Sequence, residues 1–141
     1  MLERWVIYAF ISMFFAGFTS VIAKQGLAGI SGELGLTIRT LFVFVLVLGF
    51  AWVAIPTADW SKVNSTNWLW LGLSGVTTTL SWIFYYKALK EGDVATVALI
   101  DKGSVLIAML MAWLLLKEVI TVRMLLGAGL IVAGLLVIAK K

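Results

Sequence analysis

The chain has 141 residues, 62% hydrophobic and 13% charged, with a mean hydropathy of +1.09 and a formal net charge of +4. Soluble domains carry about 45–50% apolar and about 25% charged residues, so the composition excludes a soluble globular domain and fits an integral membrane protein. With no Cys and no His, disulfides, thiolate chemistry, imidazole acid–base work and most zinc sites are excluded as well.

A helix needs about 20 apolar residues to cross the hydrocarbon region. The first run that qualifies is Trp5–Ala23. It ends in SVIAKQ and lacks a small-residue cleavage site, so it reads as a retained span rather than a secretory leader. Ser12, Ala16, Thr19 and Ala23 share one helical face, and Lys24 closes the span. The second run, Leu34–Ile55, carries Arg39 near its start and is stopped by Pro56, the chain's single proline. A polar loop is expected over Ser61–Asn67.

The third run, Trp68–Tyr86, places Ser74, Thr78, Ser81 and Tyr85 on one face. Glu91-Gly92-Asp93 reads as a turn, with Asp93 capping the next helix. The fourth run, Val94–Leu116, holds Asp101 about 10 Å in at 1.5 Å per residue. Asp101 shares a face with Ala98, Val105, Ala108 and Ala112. An ionisable group at that depth faces the bundle interior or water and has a partner. Lys102 adjoins it but points about 100° away on a helix, so Lys24 and Arg39 are the better candidates.

The link Lys117–Ile120 is short, which makes the fourth and fifth helices antiparallel neighbours. The fifth run, Thr121–Ala139, has Gly127, Gly129, Ala133 and Gly134, a small-residue face suited to packing or dimerisation. Backbone groups in lipid must be satisfied within the segment, and these runs are too long and too uniform for barrel strands. The expected fold is an all-α integral membrane bundle of five transmembrane helices, forming one transmembrane domain over residues 1–141.

Five spans put the termini on opposite sides. The N-terminal side, side A, receives Arg4, Lys62, Lys117 and Arg123. Side B receives Lys24, Arg39, Lys87, Lys90, Lys102, Lys140 and Lys141. The bias places side B, with the C-terminus, in the cytoplasm. Six tryptophans (Trp5, Trp52, Trp60, Trp68, Trp70, Trp113) fall toward side A and Trp82 toward side B, an interfacial belt that anchors at headgroups. The scattered charge forms no basic patch for nucleic acid. Basic residues at helix ends meet anionic lipid instead.

Span order brings Lys24, Arg39, Asp101 and Lys102 to similar depth at the side B mouth, near Tyr85, Tyr86 and Lys87. Two readings stand. One is a clamp tying helix ends together, with basic chains snorkelling to water. The other is a substrate or proton gate. The stripes on the first, third and fourth helices likewise read singly as close packing, with Ser and Thr bonding their own backbone. Together they suggest a pathway.

The run FTSVIAKQGLAGISGELGLTIRTLF resembles the start of the EamA-type repeat of the drug/metabolite transporter superfamily. That repeat has a lysine late in helix one and an arginine early in helix two. YYKALKEGDVATVALIDKGSVLIAMLMAWLLLKEVITVRMLLGAGLIVAGLLVI resembles its second half, through the YYKAL-x-x-G turn, the LKE after helix four and the G-x-x-L-x-x-x-G of helix five. The resemblance implies an alternating-access transporter whose helices one, three and four line the cavity. Lys24, Arg39 and Glu118 match positions of the repeat. Glu118 is expected to brace the loop between helices four and five. Family members typically carry two inverted repeats, whereas this sequence holds one. The fourth helix often has a proline near its middle in relatives, whereas here Asp101-Lys102-Gly103-Ser104 lies in its first half.

An odd number of spans inverts consecutive repeats automatically, and separate copies achieve the same by inserting both ways. The expectation is a multi-pass cell-membrane exporter of a small polar or amphipathic metabolite, working as a homodimer, antiparallel in its simplest form. The alternative is a non-transporting accessory or assembly subunit. No enzyme is expected, because no nucleophile–base pair can be drawn, and no cofactor or metal is called for.

Overall fold

The computed structural model describes residues 3–139. Lys140 and Lys141, counted above toward side B, lie outside them. The described residues are helical throughout, with no strand among them. They divide into two units, Met1–Glu91 and Gly92–Lys141.

In the first unit, α1 spans Arg4–Gly26 and α2 spans Gly32–Ala54. Gly29 turns the link between them with φ +75°, a left-handed conformation that glycine adopts without a Cβ penalty. Ser31 caps α2, its side chain accepting from Leu34 N–H at 3.2 Å. The helix stops at Ala54, and Ile55 turns extended (φ −103°, ψ 115°) ahead of Pro56, as a residue before proline must.

The expected polar loop at Ser61–Asn67 is a more structured passage. A four-residue helix, α3 (Thr57–Trp60), opens it, with Asp59 paired to Lys62. Asn64 and Asn67 then cap each other. Each side-chain oxygen accepts from the other's backbone N–H at 3.0 Å. This reciprocal cap satisfies two orphan donors and starts α4 at Ser65, three residues before the expected apolar boundary. α4 runs to Glu91, five residues past Tyr86. The gain lies in a polar final turn that an apolar-run boundary leaves out.

Packing in this unit is concentrated at one end. The buried side chains are Leu27, Leu36, Tyr86, Leu89 and Ser20. The α1–α2 link and the first turns of α2 sit against the last turns of α4. Gly32 makes the tightest approach: a Cβ there would lie 2.9 Å from the Tyr86 carbonyl oxygen. Away from this end the helices expose Phe, Leu, Val and Trp side chains, the surface that acyl chains cover.

The second unit holds the expected fourth helix in pieces. α5 (Val94–Asp101) and α6 (Ser104–Met111) are separated by Lys102-Gly103, and a π-turn follows over Ala112–Leu116. Around the break the hydrogen bonds tighten to the i→i+3 pattern, Gly103 N–H to Ile100 O at 2.9 Å and Val105 N–H to Lys102 O at 3.2 Å. Such mid-helix 3₁₀ turns mark hinges or strain. Asp93 occupies the expected cap position of α5 but makes no side-chain cap bond. Lys117 ends the π-turn in the left-handed region, φ 55°. α7 covers Val122–Ala139. α5 packs on α7, and a Cβ on Gly103 would lie 3.1 Å from Leu135 Cδ1. Those residues are nearly equidistant from the Lys117–Ile120 link, the register of an antiparallel pair.

Three segments are long and apolar enough to cross a membrane: Arg4–Gly26, Gly32–Ala54 and Val94–Leu116. Val122–Ile138 is apolar but shorter. α4 has the length, but Ser, Thr and Asn dilute its hydropathy. The five-span expectation is therefore matched at three spans by length and apolarity together.

Candidate functional site

The packed end of the first unit gathers most of its polar chemistry. Lys24, in the last turn of α1, donates from Nζ to the Leu89 carbonyl and, at 3.3 Å, to that of Lys90. Lys90, in the last turn of α4, donates back to the Leu27 carbonyl at 2.9 Å. The last carbonyls of a helix lack intrahelical partners and carry the negative end of its dipole. Each lysine thus caps the other helix. Alongside, Ser20 and Tyr85 share a hydroxyl–hydroxyl bond of 2.7 Å, and Lys87 pairs with Glu33 at 3.3 Å.

Arg39 is different. It projects from α2 with its guanidinium carbon 4.2 Å from the Trp82 ring centroid and 5.9 Å from that of Tyr86. Both rings present π-faces to the cation. A guanidinium directs its donors in its own plane, and the rings supply no acceptor there. Its Nη1 is buried without a hydrogen-bond partner. Leaving a buried donor unpaired costs about 1–3 kcal/mol, more for a charged group.

Arg39 also lines a cavity of about 460 Å³ between α1 and α2, walled by Thr19, Ile22, Leu27, Ile30, Phe42 and Tyr86 among others. A second groove of about 730 Å³ lies between α2 and α4. Its threonines are already satisfied: Thr37, Thr40 and Thr79 donate to Glu33, Leu36 and Gly75 carbonyls at 2.8–2.9 Å. The two spaces therefore differ in unmet hydrogen-bonding demand.

In the second unit Asp101 pairs with Lys102 at 3.7 Å, the two side chains 38% and 59% exposed. This corrects the expectation that sequence neighbours point apart. Lys102 keeps right-handed helical dihedrals (φ −65°, ψ −15°), so it is the reach of lysine's flexible four-carbon stem that closes the gap. An exposed pair of this length is worth about 0–1 kcal/mol.

The other residues singled out from the sequence fare unevenly. Tyr85 is engaged, but with Ser20 rather than with the Ser12–Thr19 stripe. Thr19 donates to its own helix at Phe15 O, 2.9 Å, and borders the Arg39 cavity. Ser12, Ser74, Thr78 and Ser81 are exposed. Ser20 lies one position off the selected stripe and was missed. Trp82 was assigned to the aromatic belt, and its role under Arg39 was missed too. The signal available was spacing: Trp82 and Tyr86 stand at i and i+4.

Comparison with known proteins defines the class. The EamA-like transporter family model matches residues 3–140, so the chain belongs to the EamA-like transporter family and is a multi-pass membrane protein of the transporter class. A curated relative from Sinorhizobium sp, named "Uncharacterized transporter in cobO 3'region", is 36% identical over 142 residues, covering 99% of each chain. No solved structure matches the chain.

Proposed function

We propose that the chain exports a small polar or amphipathic metabolite by alternating access, and that two copies in opposite orientations make one transport unit. Each copy would contribute five spans, with α4 and α7 crossing beside the three strongly apolar segments, and with side B of the majority orientation in the cytoplasm. The observation that carries the reading is the distribution of packing. One end of α1, α2 and α4 is cross-braced, while the Ser/Thr-bearing faces along the rest of α1 and α4 are open. Lipid covers apolar faces, but Ser12, Ser74, Thr78 and Ser81 gain nothing from acyl chains. A facing copy or a water-filled path suits them.

Pairing two copies answers a geometric need: a cavity with gates at both ends needs more helices than one repeat offers. Gly127 and Gly129 of α7 have open space over their Cα atoms, as an unpaired small-residue seam would. Lys24, Arg39, Asp101 and Lys102, all assigned to side B by span order, would form the gate, with Ser12, Thr19, Ser74, Thr78, Ser81 and Tyr85 bordering the path. The Lys102-Gly103 break supplies a hinge beside Asp101, and discontinuous helices are a recurrent feature of transporter sites.

Orientation-resolved labelling of single cysteines tests the arrangement directly, because the native chain has none. Labelling of one C-terminal cysteine from both sides of sealed vesicles is the expected result. Labelling from the cytoplasmic side alone would overturn the antiparallel pair. Solute flux in proteoliposomes holding only this protein separates a transporter from an accessory subunit, which would show none.

A further inference from the structure

The cavity beside Arg39 has a chemical demand that the unit around it does not meet. Its guanidinium carbon lies 4.2 Å from the Trp82 ring centroid and 5.9 Å from that of Tyr86. Those rings favour the cation but supply it no acceptor, and Nη1 is buried with none. Among the described residues of its own unit no carboxylate is ion-paired with it: Glu33 goes to Lys87 and Asp59 to Lys62. The group that fits a guanidinium edge is an anion with two coplanar oxygens, a carboxylate or one face of a phosphate.

The remainder of the space asks for something apolar. Ile22, Leu27, Ile30, Ile38 and Phe42 form most of its wall. Its volume of about 460 Å³ falls in the range of about 300–1,000 Å³ typical of small-molecule sites. An inorganic anion would make no use of that wall, and a purely apolar guest would leave Arg39 without an acceptor. The groove between α2 and α4 is larger, but its threonine hydroxyls are already spent on backbone carbonyls, so it makes no comparable demand.

We infer that this cavity binds an amphipathic organic anion, its carboxylate or phosphate on the in-plane edge of Arg39 and its apolar body between α1 and α2. The inference deepens the transport reading by naming its solute class. The same chemistry could be offered by an anionic lipid headgroup, and the titration below separates the two sources.

Gly26 makes the test clean. It lines the cavity, and a Cβ there meets nothing within 4 Å. Gly26→Leu therefore enters the cavity without displacing protein, and Leu is a better helix former than Gly. The experiment is calorimetric titration of the whole chain in phosphatidylcholine nanodiscs with 1-naphthoate, and with uncharged 1-naphthamide of the same shape. The acid is expected to bind at least tenfold tighter than the amide. Arg39→Gln should abolish that difference. Gly26→Leu should weaken both ligands by more than tenfold while the protein stays monodisperse, which keeps the test decisive if the arginine variant fails to fold.

Equal affinities for acid and amide, or unaltered binding to Gly26→Leu, would overturn the assignment. So would loss of the naphthoate signal when phosphatidylglycerol replaces phosphatidylcholine, since the anion would then be a lipid headgroup. Binding is read without flux, so a negative result here leaves transport to be judged by proteoliposomes, and a silent flux assay leaves the site standing.

Discussion

Replacing Gly32 by alanine tests the packed end of the molecule at its tightest point. The added methyl would stand 2.9 Å from the Tyr86 carbonyl oxygen, 3.0 Å from its carbon and 3.2 Å from Lys87 N. Ordinary van der Waals contact for such a carbon begins near 3.4 Å. All three neighbours are α4 backbone, so no rotamer can yield, and α2 must lift away from α4. Overpacking of this kind costs about 1–3 kcal/mol, and one or two kcal/mol already changes a folding equilibrium about 5- to 30-fold. Unfolding by SDS in mixed micelles, followed by tryptophan fluorescence, should show the shift. Gly17→Ala, in the body of α1 with nothing within 4 Å, should instead leave stability unchanged or raise it by up to about 1 kcal/mol, since Ala is the better helix former. If Gly32→Ala unfolds at the same SDS fraction as the parent, α2 does not approach α4 as described, and the braced end loses its basis.

Lys90→Met removes the donor to the Leu27 carbonyl; a net loss of about 0.5–1.5 kcal/mol is expected, read as a lower midpoint in detergent thermal denaturation. Lys117→Gly relieves a left-handed side-chain-bearing residue and should raise that midpoint, the conformation costing an L-residue about 1–2 kcal/mol. Asp101→Asn should abolish flux in proteoliposomes while leaving expression and detergent stability unchanged, because the Lys102 pair it breaks is exposed and weak. Normal flux through that variant would reduce Asp101 to architecture. Gly129→Leu closes the open seam on α7 and should lower the dimer fraction in crosslinking without unfolding the monomer.

The apolar runs made most of the helical segments legible, along with the stop at Pro56 and the antiparallel link at Lys117–Ile120. Their ends were less legible, because polar turns extend helices beyond apolar boundaries: the Asn64–Asn67 cap begins α4 early, and Lys87–Glu91 finishes it late. The break after Asp101 had a visible signal. Asp-Lys-Gly-Ser is a poor helical tetrapeptide, and the Gly103 gap that admits Leu135 was invisible only because it depends on α7. At the site, periodicity picked out Tyr85 and span order picked out Arg39, but neither could name their partners. Ser20 sits one position from the chosen stripe, about 100° around the helix, and only the angle between α1 and α4 decides which face is used. Trp82 looked like an anchor for the same reason. A tryptophan near a helix end serves headgroups or a neighbouring cation equally well, and α2 supplies the cation.

In a soluble protein, exposed apolar surface would itself locate a partner. Here it cannot, because acyl chains satisfy Phe42 or Leu46 as well as a second helix would. Polar groups retain their discriminating power in lipid, since an unmet donor is penalised there whatever surrounds it. That makes the division within the first unit informative. Lys24, Lys90, Lys87, Ser20, Thr37, Thr40 and Thr79 all have protein acceptors or partners. Arg39 alone combines a fixed position, a buried orphan nitrogen and an adjoining cavity. A lysine there could snorkel toward water along its flexible stem. Arg39 instead keeps its guanidinium over Trp82 with Nη1 buried, so its unmet demand points to an acceptor from outside its own unit.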